Sequence, residues 1–396
     1  MSSPTHPLDH PVLRAGITHA PSDSPAHKPP RAENRFSLDY RRCAAALPAL
    51  PCPIIDVHAH INGERAALIY RDVAQTFGIE HVFTQVRITD APLVRRVLGD
   101  FVSFIAFPQF RVDDKRKAMT SGYLEDIQQF RDQFGARMIK LWNAPRMYEV
   151  FPGEAGKDLI AFDSPWRVEH AKLAQQLGMG IMVHVADPDT WFATKYSNPA
   201  VYGMKRDHYP PLERMIDRFP GPWLAAHMGG WPEDLDFLDG LLTRHPNLSL
   251  DTSATKWVVR ELSKHPRGRV FDFFSKWQGR ILFGSDIVTI DDHLTPKPAE
   301  MMNKHPMADL ADSPEAAFDL YASRYLALRL MFETDYTGES PIADPDLKMV
   351  NPTLTETRPA PRLQGLNLPP DMLKVLYRSA CEHLLGGPPL RNGRMP

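Results

Sequence analysis

The chain has 396 residues, 43% of them hydrophobic, and a formal net charge of -2. That length accommodates a barrel-type catalytic domain of about 250 residues with extensions. The near-zero charge offers no polycationic surface, so nucleic acid is excluded as an expected partner and a small-molecule substrate is favoured. No run of about 18 apolar residues and no basic segment leading into an apolar stretch argue against a membrane span and against export. Three cysteines, Cys43, Cys52 and Cys381, are an odd number without metal-type spacing, as suits a reducing compartment. The expectation is a cytoplasmic protein, with a homodimer left open.

Residues 1–36 are rich in Pro, Ser and His without apolar periodicity and read as a mobile, disordered extension ahead of one domain over 37–396. From Pro53 the pattern alternates. The apolar runs "IIDVHAHI", "HVFTQV", "FVSFIAFP", "RMIKLW", "GIMVHV", "WLAAHM", "NLSLDTS" and "RILFGSD" predict eight strands. Helical patterning lies between them, at 65–77, 119–134, 166–177, 210–219 and 232–244 among others. Such alternation implies a parallel sheet buried on both faces, and eight units close into a (β/α)8 TIM barrel, an α/β fold. An open doubly wound sheet is the alternative, but no glycine fingerprint follows the first strand. Long loops after the fourth, fifth and eighth strands, at about 143–165, 185–209 and 287–312, fall where barrel enzymes build pockets and lids. A Pro-rich excursion, 336–368, precedes a last helix, "LPPDMLKVLYRSACEHLLG".

The first strand ends on two imidazoles. In an extended chain His58 and His60 share a face, with Asp56, at roughly 7 Å between Cα atoms, so both rings can converge on one divalent cation. The fifth strand ends in His184 ("IMVHVADP"), the sixth in His227 ("LAAHMGG") and the eighth in Asp286 ("LFGSD"). All five sit at C-terminal strand ends, the rim where catalytic groups of this fold converge, and form an N/O donor set suited to zinc or a neighbouring divalent ion.

That order, HxH then His, His and Asp, resembles the amidohydrolase superfamily. In particular it resembles the amidohydrolase-related branch, which includes aminocarboxymuconate-semialdehyde decarboxylase, aromatic-acid decarboxylases and some lactone hydrolases. The resemblance spans Ile54 to Asp286 and the last helix. It implies that His58, His60 and His184 are metal ligands, that Asp286 binds the metal or handles a proton, and that His227 is a catalytic base or lies beside the ligands. The implied cofactor is one divalent ion, Zn first and Mn second. DNase-like relatives carry a glutamate on the fourth strand where this chain has Lys140 in "RMIKLWN". A carboxylated lysine on that strand bridges two metals in binuclear members, whereas the related branch often has an "IKL" lysine with a single metal, meeting a substrate anion or serving structure.

Lys256 and Arg260 in "DTSATKWVVRE" could clamp a substrate carboxylate or be ordinary helix-start charges, and Asp251 could orient a ligand histidine. No GxSxG elbow, P-loop or CxxC supports serine, nucleotide or cysteine chemistry. The expected function is metal-dependent hydrolysis of a C–N or C–O bond, amide or lactone in type, in a small anionic substrate. A non-oxidative decarboxylase of an aromatic or unsaturated acid is the second reading, and a barrel that binds a ligand without turning it over is the third.

Overall fold

Every run expected as a strand is one in the computed structural model, which describes residues 9–17, 30–31, 33–109, 112–297, 311–356 and 358–386. These are β1 Ile54–Ile61, β2 Ile79–Val86, β3 Val102–Ala106, β4 Met138–Trp142, β5 Gly180–His184, β6 Trp223–Ala225, β7 Leu248–Asp251 and β8 Ile281–Leu282. A short segment, β9 Ile287–Thr289, follows β8 after a break. The strands run parallel in the order β8-β7-β6-β5-β4-β3-β2-β1-β9. The ring closes through the break. Phe283 O accepts from Val57 N at 2.9 Å, His58 O accepts from Asp286 N at 2.7 Å, and β9 pairs with β1. The segment 281–289 thus borders β7 at one end and β1 at the other, completing a (β/α)8 barrel.

Inside the barrel, Ile55, Val57, Phe83, Ile105, Met138, Met182, Leu224 and Leu282 form their own apolar cluster. The last helix, Ala380–Leu385, adds Ala380, Cys381 and Leu385 to it and so plugs the end where the strands begin. Just before it, a π turn at Val375–Ser379 turns out the Leu376 carbonyl, which accepts from Phe283 N at 3.1 Å. The rim at the C-terminal ends of the strands is left at the other end.

Outer helices lie close to their expected bounds: Glu64–Thr76, Ser121–Phe134, Pro165–Gln176, Tyr209–Arg218 and Leu235–Arg244. Helix Pro314–Glu333 is buried nearly all round. The excursion 336–368 holds a small antiparallel pair, β10 Thr337–Glu339 with β11 Arg362–Gln364. Among the described residues no helix is long and apolar enough to cross a membrane.

The segment 1–36, expected to be mobile throughout, is docked in part; 1–8, 18–29 and Ala32 lie outside the described residues. Helix Pro11–Gly16 buries Val12 and Leu13, and Ile17 bridges to Leu38. Asn34 donates to Leu38 O and to Asp319 Oδ2, both at 2.8 Å. The reason is burial by a few residues, too short to register as periodicity. Leu13→Ala should cost about 2–5 kcal/mol, read as a lower denaturant midpoint, and deleting 1–36 should lower Tm. An unchanged midpoint would restore the free-tail reading.

His170, on helix Pro165–Gln176, is fully buried with Nε2 on Thr120 O at 3.0 Å. Burial and the Arg167 guanidinium push its pKa down to about 3. The unfolded chain binds this proton near pH 6.5 and the folded chain does not, so stability falls as pH drops from 6.5 towards 3. At pH 5 this one group should account for roughly 2 kcal/mol of loss relative to neutral pH. Denaturant titrations at pH 7 and pH 5 should show a smaller loss in His170→Gln than in the parent chain.

Candidate metal centre

β1 delivers His58 and His60 to the rim, with ring centroids 5.6 Å apart. His184 ends β5, His227 follows β6, and Asp286 lies in the break between β8 and β9. Four rim positions adopt left-handed backbone without being glycine: His227 (φ 59°), Met228 (φ 49°), Ala254 (φ 59°) and Asp286 (φ 60°). Strain of that kind, about 1–3 kcal/mol each, collects where surrounding structure holds a side chain in a required place. Gly284 packs tightly against the centre, where a Cβ would lie 3.1 Å from His58 Cβ and 3.3 Å from Ser253 Cβ.

The histidine tautomers follow from their partners. His58 Nδ1 donates to Asp251 Oδ2 at 2.9 Å, which leaves Nε2 a bare acceptor, buried, without a hydrogen-bond partner, and 3.5 Å from Asp286 Oδ1. His184 Nε2 donates to Asp187 Oδ1 at 3.0 Å. Ser253 Oγ donates to Asp251 Oδ1, so it accepts from His227 Nδ1 at 2.8 Å. His184 Nδ1 and His227 Nε2 are then both acceptors, and they face each other at 3.2 Å. His60 Nε2 stands 3.3 Å from Asp286 Oδ1. Among the described residues His58, His60 and Asp286 bring one ligand atom each within 4.8 Å of one another, a donor set that fits a divalent metal ion, whereas His184 is in no such group and meets the set at His227.

Charge states agree with this. Burial opposes ionisation of Asp286, but the hydrogen bond from His60 and the neighbouring imidazoles hold its carboxyl well below the usual range. Burial keeps His58 and His227 neutral, the form that ligates. Asp251 is fully buried, accepts from His227 N at 2.9 Å and Ser253 N at 3.0 Å as well as from His58, and stays ionised. It stands where a partner that orients a ligand histidine should.

The anion-clamp residues part company. Lys140, buried on β4, lines the same cavity as the four histidines and Asp286, and burial lowers its pKa to about 8. Lys256 lines a neighbouring cavity instead. Arg260 is corrected: its guanidinium is buried on Glu261 and Asp344, each at 2.5 Å, and lines neither cavity. A cation already matched by two carboxylates has little left for a substrate. Sequence reasoning missed Asp187, three residues after His184 in "HVADP", and Ser253, in "DTSA"; the first could have been suspected from its spacing, the second only from the fold. It also missed Asp56 as a buried anchor, bonded to Ser285 Oγ at 2.6 Å and Tyr325 OH at 2.8 Å, with burial raising its pKa to about 7.

No protein-family model matches the chain, and no curated protein matches it. Solved structures resembling it include 2,6-dihydroxybenzoate decarboxylase from Rhizobium, 13% identical with a TM-score of 0.38, over 70% of this chain and 99% of that one. A 5-carboxyvanillate decarboxylase from Novosphingobium aromaticivorans complexed with manganese is 10% identical, TM-score 0.36, over 69% and 96%. Dihydroorotase from Campylobacter jejuni is 11% identical, TM-score 0.37, over 80% and 93%.

Proposed function

We propose that the protein is a metal-dependent hydrolase that opens a C–N or C–O bond, of amide or lactone type, in a small anionic substrate. One observation carries this reading: His58, His60 and Asp286 bring ligand atoms within 4.8 Å of one another in a cavity of about 750 Å3 that His184 and His227 also line. His58, His60, His184 and Asp286 would hold the ion, Zn first and Mn second. When bound, such an ion supplies a Lewis acid for the carbonyl and a nucleophile at neutral pH. Asp251 holds His58 in the tautomer that leaves Nε2 free. His227 and Asp286 hold the proton taken from water and return it to the leaving group. Lys140 faces the cavity and holds the substrate anion.

A second reading, a decarboxylase, is favoured by the cavity's aromatic walls Phe107, Trp142 and Phe151 around that cation, which suit an aromatic acid. There Asp286 or His227 would protonate the carbon as carbon dioxide leaves. Metal analysis with turnover of amide, lactone and aromatic-acid panels separates the two. We expect about one equivalent of metal per chain and hydrolysis; carbon dioxide release without hydrolysis selects the second reading, and a metal-free chain without turnover sinks both. Two equivalents that vanish together in Lys140→Ala would reveal a bridged pair.

A further inference from the structure

The centre opens on two cavities, one of about 750 Å3 and one of about 250 Å3. They share His184, His227, Asp286 and Val288. The larger is already of ligand-pocket size, and the smaller falls below that range, so it suits one arm of a molecule rather than a whole one. We propose that the substrate straddles the centre, with its anionic acyl part in the larger lobe and an uncharged planar leaving arm in the smaller.

The walls of the smaller lobe carry the argument. Trp257 lies beside His227, ring centroids 6.1 Å apart, and its indole N–H is committed to Glu233 Oε1 at 2.9 Å. Trp191 is pinned by Asp346 Oδ2 at 2.7 Å. Trp257, held in one orientation, offers apolar surface to a flat group together with Leu320 and Val288, while Trp191 carries Lys195 Nζ 3.4 Å from its ring centroid. Charge does not select an ion here. Lys256 and Arg324 line this lobe with Asp187, Asp344 and Asp346; Arg260 answers Asp344 from outside, and Asp187 and Asp346 remain to balance the two cations. The larger lobe differs. Lys115, Lys140, Arg87 and Arg146 line it with Asp90, which Arg87 binds at 2.7 Å, and Asp291, which accepts backbone N–H of Glu64 and Ala66; Glu149, outside the lobe, lies 3.7 Å from Arg146 in an exposed pair. Its surplus is cationic.

This rests on the hydrolase reading and extends it to acyclic esters and amides. One water is consumed: its oxygen ends on the acyl carbon as the new acid, the bond from that carbon to the leaving oxygen or nitrogen breaks, and the released proton reaches the leaving atom through Asp286 or His227. Decarboxylation would leave the smaller lobe without a role.

The test uses the metal-loaded protein with phthalate and benzyl alcohol as separate binding partners in calorimetry, and monomethyl and monobenzyl phthalate as substrates. We expect phthalate and benzyl alcohol to bind together, neither shifting the other's Kd more than about twofold, and the benzyl ester to exceed the methyl ester in kcat/KM by at least about tenfold. Leu320→Trp should weaken benzyl alcohol at least about tenfold and bring the ester ratio towards one. Because Leu320 is buried and its variant could fail to fold, Val288→Trp, at a position 47% exposed where the lobes meet, should do the same. Mutual exclusion of phthalate and benzyl alcohol, or benzyl alcohol binding unchanged in a folded variant, overturns the proposal. Joint binding with carbon dioxide release and no ester hydrolysis keeps the two-lobed site and overturns the hydrolase reading instead.

Discussion

Substitution of His227 by Asn should lower kcat by at least about 100-fold while leaving metal content near one equivalent and the fold intact. Its Nδ1 is satisfied by Ser253 and its Nε2 points into the space shared with His184, so it is placed to hold a proton for the reacting group. General acid–base groups contribute about 10²–10⁴-fold. His184→Ala should fail differently, losing metal affinity and recovering part of its activity with excess metal. Asp286→Asn should stay inactive even when metal is restored, since it combines ligand and proton carrier. Metal analysis and kinetics on the three purified variants check the assignment. A metal-free His227→Asn alongside a loaded His184→Ala would mean that the two histidines have exchanged roles, a result that the bare acceptor on each makes meaningful.

The largest effect on stability is expected at Asp251. Removing one member of a buried charged network leaves its partners unpaired, at a cost of about 3–5 kcal/mol. In Asp251→Ala, His58 Nδ1 loses its acceptor and the backbone N–H groups of His227 and Ser253 lose theirs. The variant should unfold at markedly lower denaturant. Any folded fraction should bind metal about 10–100-fold more weakly, because His58 is no longer held in one tautomer. The carboxyl's pKa is held below its ordinary value, so its contribution is present above about pH 4 and is lost as pH falls through the folded value. Parent and variant should therefore converge only in strong acid. Equal midpoints at pH 7 would show that Asp251 is not the anchor of the centre.

The barrel and its rim are legible in one dimension. Each strand is a short apolar run between helices, a local signal that burial on both faces imposes on the chain, and the five polar residues at strand ends broke that signal where apolar residues belonged. Helix Pro314–Glu333 escaped because a helix buried all round has no polar face and hence no 3.6-residue alternation to detect. The docked helix Pro11–Gly16 escaped because burial of two or three side chains in six residues is indistinguishable from chance. What the charged residues do was settled only when the chain folded. Arg260 and Lys140 look alike along the sequence, yet one is neutralised by Asp344, 84 residues away, and the other is left inside the cavity. Asp251 meets His58 across 193 residues. The pairing of a charge is a property of what the fold brings near it, and no periodicity along the chain records that distance.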